Sequence, residues 1–317
     1  MIRILAFNEK EIHELDGGRI DEVVNYPVVW VDVVGYTEVE LGMIQKRFNL
    51  HPLAIEDVTH GAQAPKLDEY DDYLFSIVHS MKYTNGKITY EEIYFFISDR
   101  WLISIHREDR HIGEIFSKAS KIFGPSTPHK TPDFIYYSLA DRMIDDYSTV
   151  LNEVEESIDS LEEDVEENPS KEMLHRMDGL RRDLITIRRS VWPTLTFVRD
   201  TLRGMNLLIS DQNIAYFRDL RDHLTRLIDQ IEAYHNRVNS VGQLYLASVA
   251  ASTNEVMKLF TVLATIFLPP TLIASIYGMN FINLPEFQWR FGYPFALTLM
   301  LLVAVLPSLY LKKKHVL

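Results

Sequence analysis

An uncharged tetrapeptide close to the C-terminus, Tyr277-Gly278-Met279-Asn280, lies between two long apolar segments. No charged side chain occurs in residues 259–285 or in residues 291–311. A helix needs about 20 apolar residues to cross a bilayer, so both segments are long enough to span one. The short connection between two spans has little room for an enzyme site. A glycine and an amide at the end of a span are better suited to a pore mouth.

A row of small and weakly polar residues precedes this tetrapeptide, and we call it the polar stripe. Its members alternate at steps of three and four, so they lie along one side of a helix. They are Asn254, Met257, Thr261, Ala264, Leu268, Thr271, Ser275 and Gly278. Two interpretations stay open. Small residues favour close helix packing in membranes, and the same residues are suited to line a pore.

The polar stripe contains no ionisable side chain, and this limits the chemistry that it can perform. Magnesium gives up its water ligands reluctantly. Amide, hydroxyl and carbonyl oxygens can hold such an ion through its waters, without stripping them as a cage of carboxylates would. Met257 and Leu268 on the same face could form apolar constrictions that close by dewetting.

The composition restricts the possible partners and functions. The chain has 317 residues, with 45 acidic and 32 basic side chains and a net charge of −13. This charge argues against a nucleic-acid partner and suits a protein that handles cations. Cysteine is absent, which excludes disulfides, thiolate metal sites and cysteine nucleophiles. No phosphate-binding Gly-x-x-x-x-Gly-Lys-Ser/Thr motif occurs, so ATP-driven pumping has no support.

The distribution of lysines predicts the orientation in the membrane. Positive charge marks the cytoplasmic flank of a span. Lys258 precedes the first apolar segment and Lys312-Lys313-Lys314 follows the second, whereas the connection carries Glu286 and Arg290 without a basic excess. We expect a multi-pass protein of the cell membrane with both termini in the cytoplasm. The first nine residues are too short and too soon charged for a signal peptide.

Residues 1–130 are predicted to form a mixed α/β domain. The β-branched run at 27–33 and the segment Trp101–His106 are typical of buried strands. Asn85-Gly86 predicts a hairpin turn between two further strands. Helical spacing at Glu38–Phe48 places Val39, Met43 or Ile44, and Phe48 on one side. Three prolines, Pro125, Pro128 and Pro132, end this region.

Residues 131–257 are predicted to be long helices. The segment 145–167 contains eleven acids and no Lys or Arg. It keeps an apolar stripe through Val150 or Leu151, Val154, Ile158, Leu161 and Val165. A solvated helix face and a loose reservoir for divalent cations are both open interpretations of its acids. The arginine-rich segment 171–190 follows a break at Asn168-Pro169-Ser170 and predicts an antiparallel hairpin. A last helix is expected over 219–268, about 75 Å long.

A second cluster that resembles a metal site occurs at His106-Arg107-Glu108-Asp109-Arg110-His111. Its spacing fits no helical zinc pair. We therefore interpret it as the end of a strand at the surface.

Several motifs together resemble the CorA-type magnesium transporters. They are Thr253-Asn254-Glu255-Val256-Met257-Lys258, the apolar span with Pro269, Tyr277-Gly278-Met279-Asn280-Phe281, Leu284-Pro285-Glu286, Trp289-Arg290-Phe291-Gly292-Tyr293-Pro294 and the terminal lysines. Upstream, His51-Pro52-Leu53 with Glu56-Asp57 and Tyr216-Phe217-Arg218-Asp219 also look like that family. The similarity covers most of the chain.

The resemblance implies a fold and an assembly. The fold class is an α+β cytoplasmic domain followed by long helices and two transmembrane α-helices, in a funnel-shaped homo-oligomer. The implied divisions are the α/β domain at 1–130, a helical stalk at 131–257, a pore-lining span at 258–280, an external loop at 281–290, a second span at 291–311 and a basic tail at 312–317. The implied assembly is a homopentamer in a lipid bilayer, without nucleic acid.

The resemblance also implies roles for individual residues. Gly278, Met279 and Asn280 would form the selective mouth, and Glu286 would attract cations outside it. Asn254, Met257, Thr261, Leu268, Thr271 and Ser275 would line the pore. Magnesium would be both the transported ion and, bound between subunits at a site that includes Asp219, a regulatory ligand that closes the pore from the cytosol.

Two departures from the family pattern concern this regulation. No acid occurs at Thr84-Asn85-Gly86, where the usual partner of Asp219 is expected, and Gln243 stands where an aspartate is expected. Cobalt, nickel or zinc remain alternative ions. A membrane-tethered helical sensor or scaffold without a conducting path remains an alternative function.

Overall fold

The computed structural model describes residues 1–8, 11–84, 86–108, 111–124, 130–167, 169–205, 208–280 and 289–314. The strands are β1 Ile2–Phe7, β2 Ile12–Asp16, β3 Val28–Val34, β4 Lys66–Glu69, β5 Leu74–Thr84, β6 Lys87–Ile97 and β7 Trp101–His106. The α-helices are α1 Glu38–Phe48, α2 Pro52–His60, α3 His111–Ser117, α4 Ala119–Ile122, α5 Pro132–Glu167, α6 Lys171–Asp200, α7 Ile214–Tyr277 and α8 Gly292–Lys313. The chain divides into two compact units, Met1–Asp164 with Ser170–Val241 and Val165–Pro169 with Gly242–Leu317.

One seven-stranded sheet, in the order β2-β1-β3-β7-β6-β5-β4, organises the first unit. Strands β3 and β7 pair in parallel, and the other neighbouring pairs run antiparallel. Side chains of β3 are buried on both faces of the sheet, as the β-branched run predicted. Strands β5 and β6 pair from Thr84 and Lys87 onward, and Gly86 between them has φ 74°, a conformation that glycine adopts without steric cost. The predicted hairpin is therefore confirmed.

A buried polar network joins three neighbouring strands of the sheet. Asp32 on β3 accepts hydrogen bonds from Ser104 Oγ at 2.6 Å and His106 Nε2 at 2.9 Å, and it also pairs with Arg3. Burial alone would raise the pKa of Asp32, but the bonds from His106, Ser104 and Arg3 hold it below its usual value. Burial would lower the pKa of His106, and the Asp32 carboxylate raises it.

The structure corrects two predictions in this unit. His106 ends β7 and is fully buried, whereas Arg107 and Glu108 directly after it are exposed, so the predicted surface position holds for those two residues and is wrong for His106. The sequence could not indicate this, because the buried partner Asp32 is remote in the chain. On α1, the buried residues are Leu41 and Ile44, whereas Val39 is 72% and Met43 48% exposed. Periodicity left Met43 and Ile44 as alternatives, and the structure buries Ile44, while Val39 does not belong to the buried face.

Helices α5, α6 and α7 pack through long apolar faces. The stripe predicted on α5 is buried throughout, at Val150, Leu151, Val154, Ile158, Leu161 and Val165. Arg176 of α6 bonds to Asp164 and, at 3.2 Å, to Ser160 of α5, which confirms the antiparallel hairpin. Arg237 of α7 donates to Asp159 at 2.6 Å and Glu162 at 2.7 Å. Part of the acidic surface of α5 is therefore neutralised within the chain.

The last two helices contain the long apolar segments. Helix α7 begins before the expected residue and continues through Pro269 and Pro270 to Tyr277. The segments Asp211–Tyr277 and Gly292–Lys313 are long and apolar enough to cross a membrane. Pro132 begins α5, and Pro125 and Pro128 lie outside the described residues.

We expect Asp32→Asn to lower the free energy of unfolding of the first unit by about 3–5 kcal/mol, because loss of one partner leaves buried charge uncompensated. Denaturant unfolding followed by tryptophan fluorescence measures this effect. Asp71→Asn, at an exposed position, is the control and should change stability by less than about 0.5 kcal/mol.

The same network has a defined pH dependence. The contribution of Asp32 to the free energy of unfolding is fully present above pH 3.8, the ordinary pKa of an aspartate. It is lost as the pH falls through the lowered pKa of the folded state. The contribution of His106 to the free energy of unfolding is fully present below pH 6.5, the ordinary pKa of a histidine. It is lost as the pH rises through the raised pKa of the folded state. Stability from this pair should therefore be greatest between these values, and Asp32→Asn should lower the pKa of His106 in an NMR titration. An unchanged His106 titration would contradict the assignment.

Candidate ion pathway and metal-binding cluster

The polar stripe lies on α7 and its residues, from Asn254 to Gly278, are exposed in the single chain. Met257 is 59% and Leu268 66% exposed. Asn254, Thr261, Thr271 and Ser275 are exposed as well. The predicted stripe residues therefore share one open side of the helix.

The covered side of the same helix segment faces the other way. Its buried or half-buried positions are Val262, Thr265, Ile266, Pro269, Pro270, Ile273 and Tyr277. Helix α8 of the same unit has a matching row at Gly292, Ala296, Leu299, Met300, Val303, Ala304, Pro307 and Ser308. At 3.6 residues per turn, the polar stripe is roughly opposite the covered side of α7. Within one chain, the small residues of the stripe are therefore not covered by any other described residue.

The hydroxyl groups of the stripe donate their hydrogens to the helix itself. Thr261 Oγ1 donates to the carbonyl of Met257 at 2.8 Å, and Thr271 Oγ1 donates to that of Phe267 at 2.7 Å. Each oxygen keeps lone-pair capacity as an acceptor. Water bound to a divalent cation directs its hydrogens outward, so acceptors on the open side suit a hydrated cation.

The tetrapeptide closes the C-terminal end of α7. The amide of Gly278 donates to the carbonyl of Ala274 at 2.9 Å, and that of Met279 donates to Ile276 at 3.2 Å. A Cβ on residue 278 would lie 3.3 Å from the Ala274 oxygen, so glycine fits this turn without displacing the backbone. Asn280 is exposed directly after it. Glu286 lies outside the described residues.

A separate cluster of metal-ligating side chains joins α5 to α7. Ligand atoms of Asp141, Asp145 and His223 all lie within 4.8 Å of one another. His223 Nδ1 is 3.6 Å from Asp141 Oδ1, and His223 Nε2 is 3.8 Å from Asp219 Oδ1. We call these four residues the acid–histidine cluster. It contains the regulatory residue expected from the sequence, Asp219.

The electrostatics of the cluster favour a bound cation. Burial and the charge of Asp145 raise the pKa of Asp141, and the Asp219 charge adds to this while His223 opposes it. Asp141 Oδ1 is inaccessible to solvent, and His223 Nδ1, at 3.6 Å, lies beyond normal hydrogen-bond distance from it. A cavity of about 260 Å³, lined in part by Asp145, His223 and Arg226, adjoins the cluster. Carboxylate and imidazole donors fit a divalent metal ion.

Sequence reasoning missed Asp141, Asp145 and His223. A usable signal was present, since Asp141 with Asp145 and Asp219 with His223 are each four residues apart and so share a helix face. That the two faces meet depends on the packing of α5 against α7. The acidic partner of Asp219 that the family pattern places at this hairpin is not found at the described positions, which hold Thr84 and Gly86. Asn85 lies outside the described residues.

Comparison with known proteins decides the family. A sequence model described as "CorA-like Mg2+ transporter protein" matches residues 27–313. The chain belongs to the CorA-like Mg²⁺ transporter family. Members of this CorA family are ion transporters and not enzymes, so the protein transports divalent metal ions and is a membrane protein.

Similar proteins support this assignment along nearly the full length of the chain. The cobalt/magnesium transport protein CorA of Thermotoga maritima is 31% identical, covering 99% of this chain and 91% of the relative. A putative metal ion transporter of Bacillus subtilis, YfjQ, is 30% identical over 95% of this chain and 93% of the relative. The complete structure of the CorA magnesium transporter from Methanocaldococcus jannaschii has a TM-score of 0.84 at 21% identity, covering 98% of this chain and 97% of that one. The fold class, an α+β domain followed by long helices and two candidate spans, is confirmed.

We expect Asp141→Asn to weaken binding of Mg²⁺ or Co²⁺ at the acid–histidine cluster by about tenfold or more, because it removes a carboxylate ligand. Isothermal titration calorimetry of the detergent-purified full chain measures this. Binding should also weaken as the pH falls, since the raised pKa of Asp141 makes protons compete with the metal. Asp229→Asn, an exposed position of α7, is the matched control. Identical isotherms for Asp141→Asn and the unmodified chain would exclude Asp141 as a ligand.

Proposed function

We propose that the protein is a passive channel for hydrated Mg²⁺, driven by the membrane potential, with the polar stripe of α7 lining its pore. The observation that carries this proposal is the uncharged, exposed stripe on the side of α7 opposite the covered side. A lipid-facing surface would gain nothing from Asn254, Thr271 and Ser275. Acceptor oxygens along a water-filled path could hold the waters of the ion without replacing them.

A single stripe cannot enclose a pore, so the proposal requires several copies of the chain. We propose a homo-oligomer in which each copy contributes one α7, and the resemblance to the CorA-type transporters implies five. In this arrangement α8 would lie between α7 and lipid. The domain boundaries remain predictions. They are the α/β domain at 1–130, the stalk at 131–257, the first span at 258–280, the external loop at 281–290, the second span at 291–311 and the basic tail at 312–317.

The proposed outer mouth is formed by Gly278, Met279 and Asn280. Asn280 would contact the waters of the ion, and Gly278 would let the chain turn close to the axis. Glu286 would attract cations from outside. Lys258 and the terminal lysines support the prediction that both termini are cytoplasmic.

We further propose that cytosolic Mg²⁺ closes the channel by binding at the acid–histidine cluster. Asp219 and His223 belong to α7, which also carries the polar stripe, whereas Asp141 and Asp145 belong to α5. A bound ion would hold α7 against α5 by neutralising carboxylates that otherwise repel one another. Loss of the ion would release this constraint on α7.

We expect Asn280→Ala to reduce Mg²⁺ uptake into proteoliposomes by about tenfold or more, because loss of a hydrogen bond to a charged group costs about 1.5–3 kcal/mol. Asn239→Ala, far from the mouth in sequence, is the control and should conduct normally. Competition with Co²⁺, Ni²⁺ and Zn²⁺ in the same assay identifies the preferred ion. Wild-type flux through Asn280→Ala would contradict the mouth assignment. If the unmodified protein showed no voltage-dependent Mg²⁺ uptake, the result would favour a membrane-tethered sensor or scaffold.

Asp219→Ala should leave the channel open at higher internal Mg²⁺, with the half-inhibiting concentration raised several-fold. Proteoliposomes loaded with a series of internal Mg²⁺ concentrations provide the inhibition curve. Asp222→Ala, whose carboxylate pairs with the adjacent Arg221, is a matched control one turn away. An inhibition curve that coincides with that of the unmodified protein would remove Asp219 from the gate.

A further inference from the structure

The outward surface of α6 combines exposed apolar residues with basic ones. Leu174, Ile185 and Trp192 are 43%, 47% and 48% exposed. Their spacing of eleven and seven residues places them on one side of the helix. His175, Arg182 and Arg189 lie along the adjacent edge, each seven residues from the next, and all are exposed. We call these three residues the α6 basic row. An exposed apolar helix face flanked by charge is typical of an interaction surface.

The outward surface of α5 carries the opposite charge. Glu156 and Glu163 are exposed and seven residues apart, about 10.5 Å along the helix. We call this pair the α5 acidic row. Among the described residues, neither its carboxylates nor the side chains of His175 and Arg182 make a hydrogen bond or an ion pair. By contrast, Asp159 and Glu162 are bound to Arg237 within the chain. The structure therefore leaves one acidic row and one basic row without partners.

The contacts between α5 and α6 set the relative height of the two rows. Arg176 bonds to Ser160 and Asp164, so it lies at a height between them. In this antiparallel pair, each residue forward along α6 corresponds to one residue backward along α5. Arg182 is therefore level with Glu156, and His175 is level with Glu163.

A second copy of the chain would bring the two rows together. Rotation about a symmetry axis parallel to the helices moves each residue around the axis and leaves its height unchanged. Glu156 of one copy would remain level with Arg182 of its neighbour, and Glu163 with His175. Because the rows are different surfaces of the same chain, such contacts run head to tail, and they close into a ring where the rotation between copies divides a full turn.

We propose that the α6 basic row of one copy docks on the α5 acidic row of the next, covering Leu174, Ile185 and Trp192 at the same contact. This inference deepens the proposed homo-oligomer and rests on it for the presence of a second copy. It also gives the unpaired acids of α5 a role in assembly.

Chemical cross-linking between two single-cysteine chains tests the contact, since the natural chain has no cysteine. Glu156→Cys and Arg182→Cys chains with different tags are co-expressed at full length and treated with a short bis-maleimide. We expect a covalent product that carries both tags. A Thr149→Cys chain paired with Arg182→Cys is the matched control, because Thr149 is displaced by about 10.5 Å along α5 and should react at least fivefold less.

Two further measurements separate the possible outcomes. Light scattering of the same samples reports the oligomeric state. An intact oligomer in which the Glu156→Cys pair reacts no better than the Thr149→Cys pair would overturn this contact and leave the homo-oligomer standing. A monomer by light scattering would overturn both. Arg182→Glu should weaken association up to about fivefold, and adding Glu156→Arg should restore it. Failure of that restoration would also contradict the pairing.

Discussion

A divalent cation cannot enter the hydrocarbon of a membrane without a polar path, and on the proposed account this constraint determines what α7 must provide. A charged side chain within a span is itself costly. The uncharged polar stripe meets both conditions, because its amide and hydroxyl groups are polar and none of its side chains is ionisable. The donation of the Thr261 and Thr271 hydroxyls to helix carbonyls leaves acceptors on the open side. On the proposed account, the remaining surface of α7 is free to pack against α8 and lipid.

The soluble part of the fold supplies anchoring points for the same helix. Arg237 binds two acids of α5, and the acid–histidine cluster lies on the same pair of helices. The first contact is an ion pair within the chain, whereas the second contains carboxylates that repel one another and that a metal ion would bridge. This difference gives a physical reason for a metal-dependent link between α5 and α7. The unpaired outer acids of α5 are then available for a neighbouring copy.

Local signals predicted much of the fold. The Asn85-Gly86 pair predicted the hairpin, the β-branched run predicted β3, and the apolar stripe of α5 is buried as expected. Each of these signals depends on residues close in sequence. Burial of His106 and the exposure of Val39 depend on tertiary partners, so periodicity could not reveal them. The resemblance to CorA-type transporters identified the family because its motifs occupy defined positions around two spans.

The candidate sites differ in how far the sequence could specify them. The sequence predicted the polar stripe because its spacing is helical over many turns. The structure was needed to show that the covered side of α7 lies on the opposite side of the helix. The acid–histidine cluster was only partly found. Asp219 came from the resemblance, whereas Asp141, Asp145 and His223 required the packing of α5 against α7. The roles of Gly278, Met279 and Asn280 in transport remain predictions.

Thiol accessibility during transport tests most directly the claim that the polar stripe lines a water-filled path. Thr271→Cys places a thiol on the stripe, and Ile273→Cys places one on the covered side of the same turn. A small, positively charged thiosulfonate reagent would be applied to proteoliposomes while Mg²⁺ flux is recorded. The account predicts that the reagent blocks flux through Thr271→Cys and leaves Ile273→Cys unaffected. Equal block of both variants, or block of Ile273→Cys alone, would contradict it.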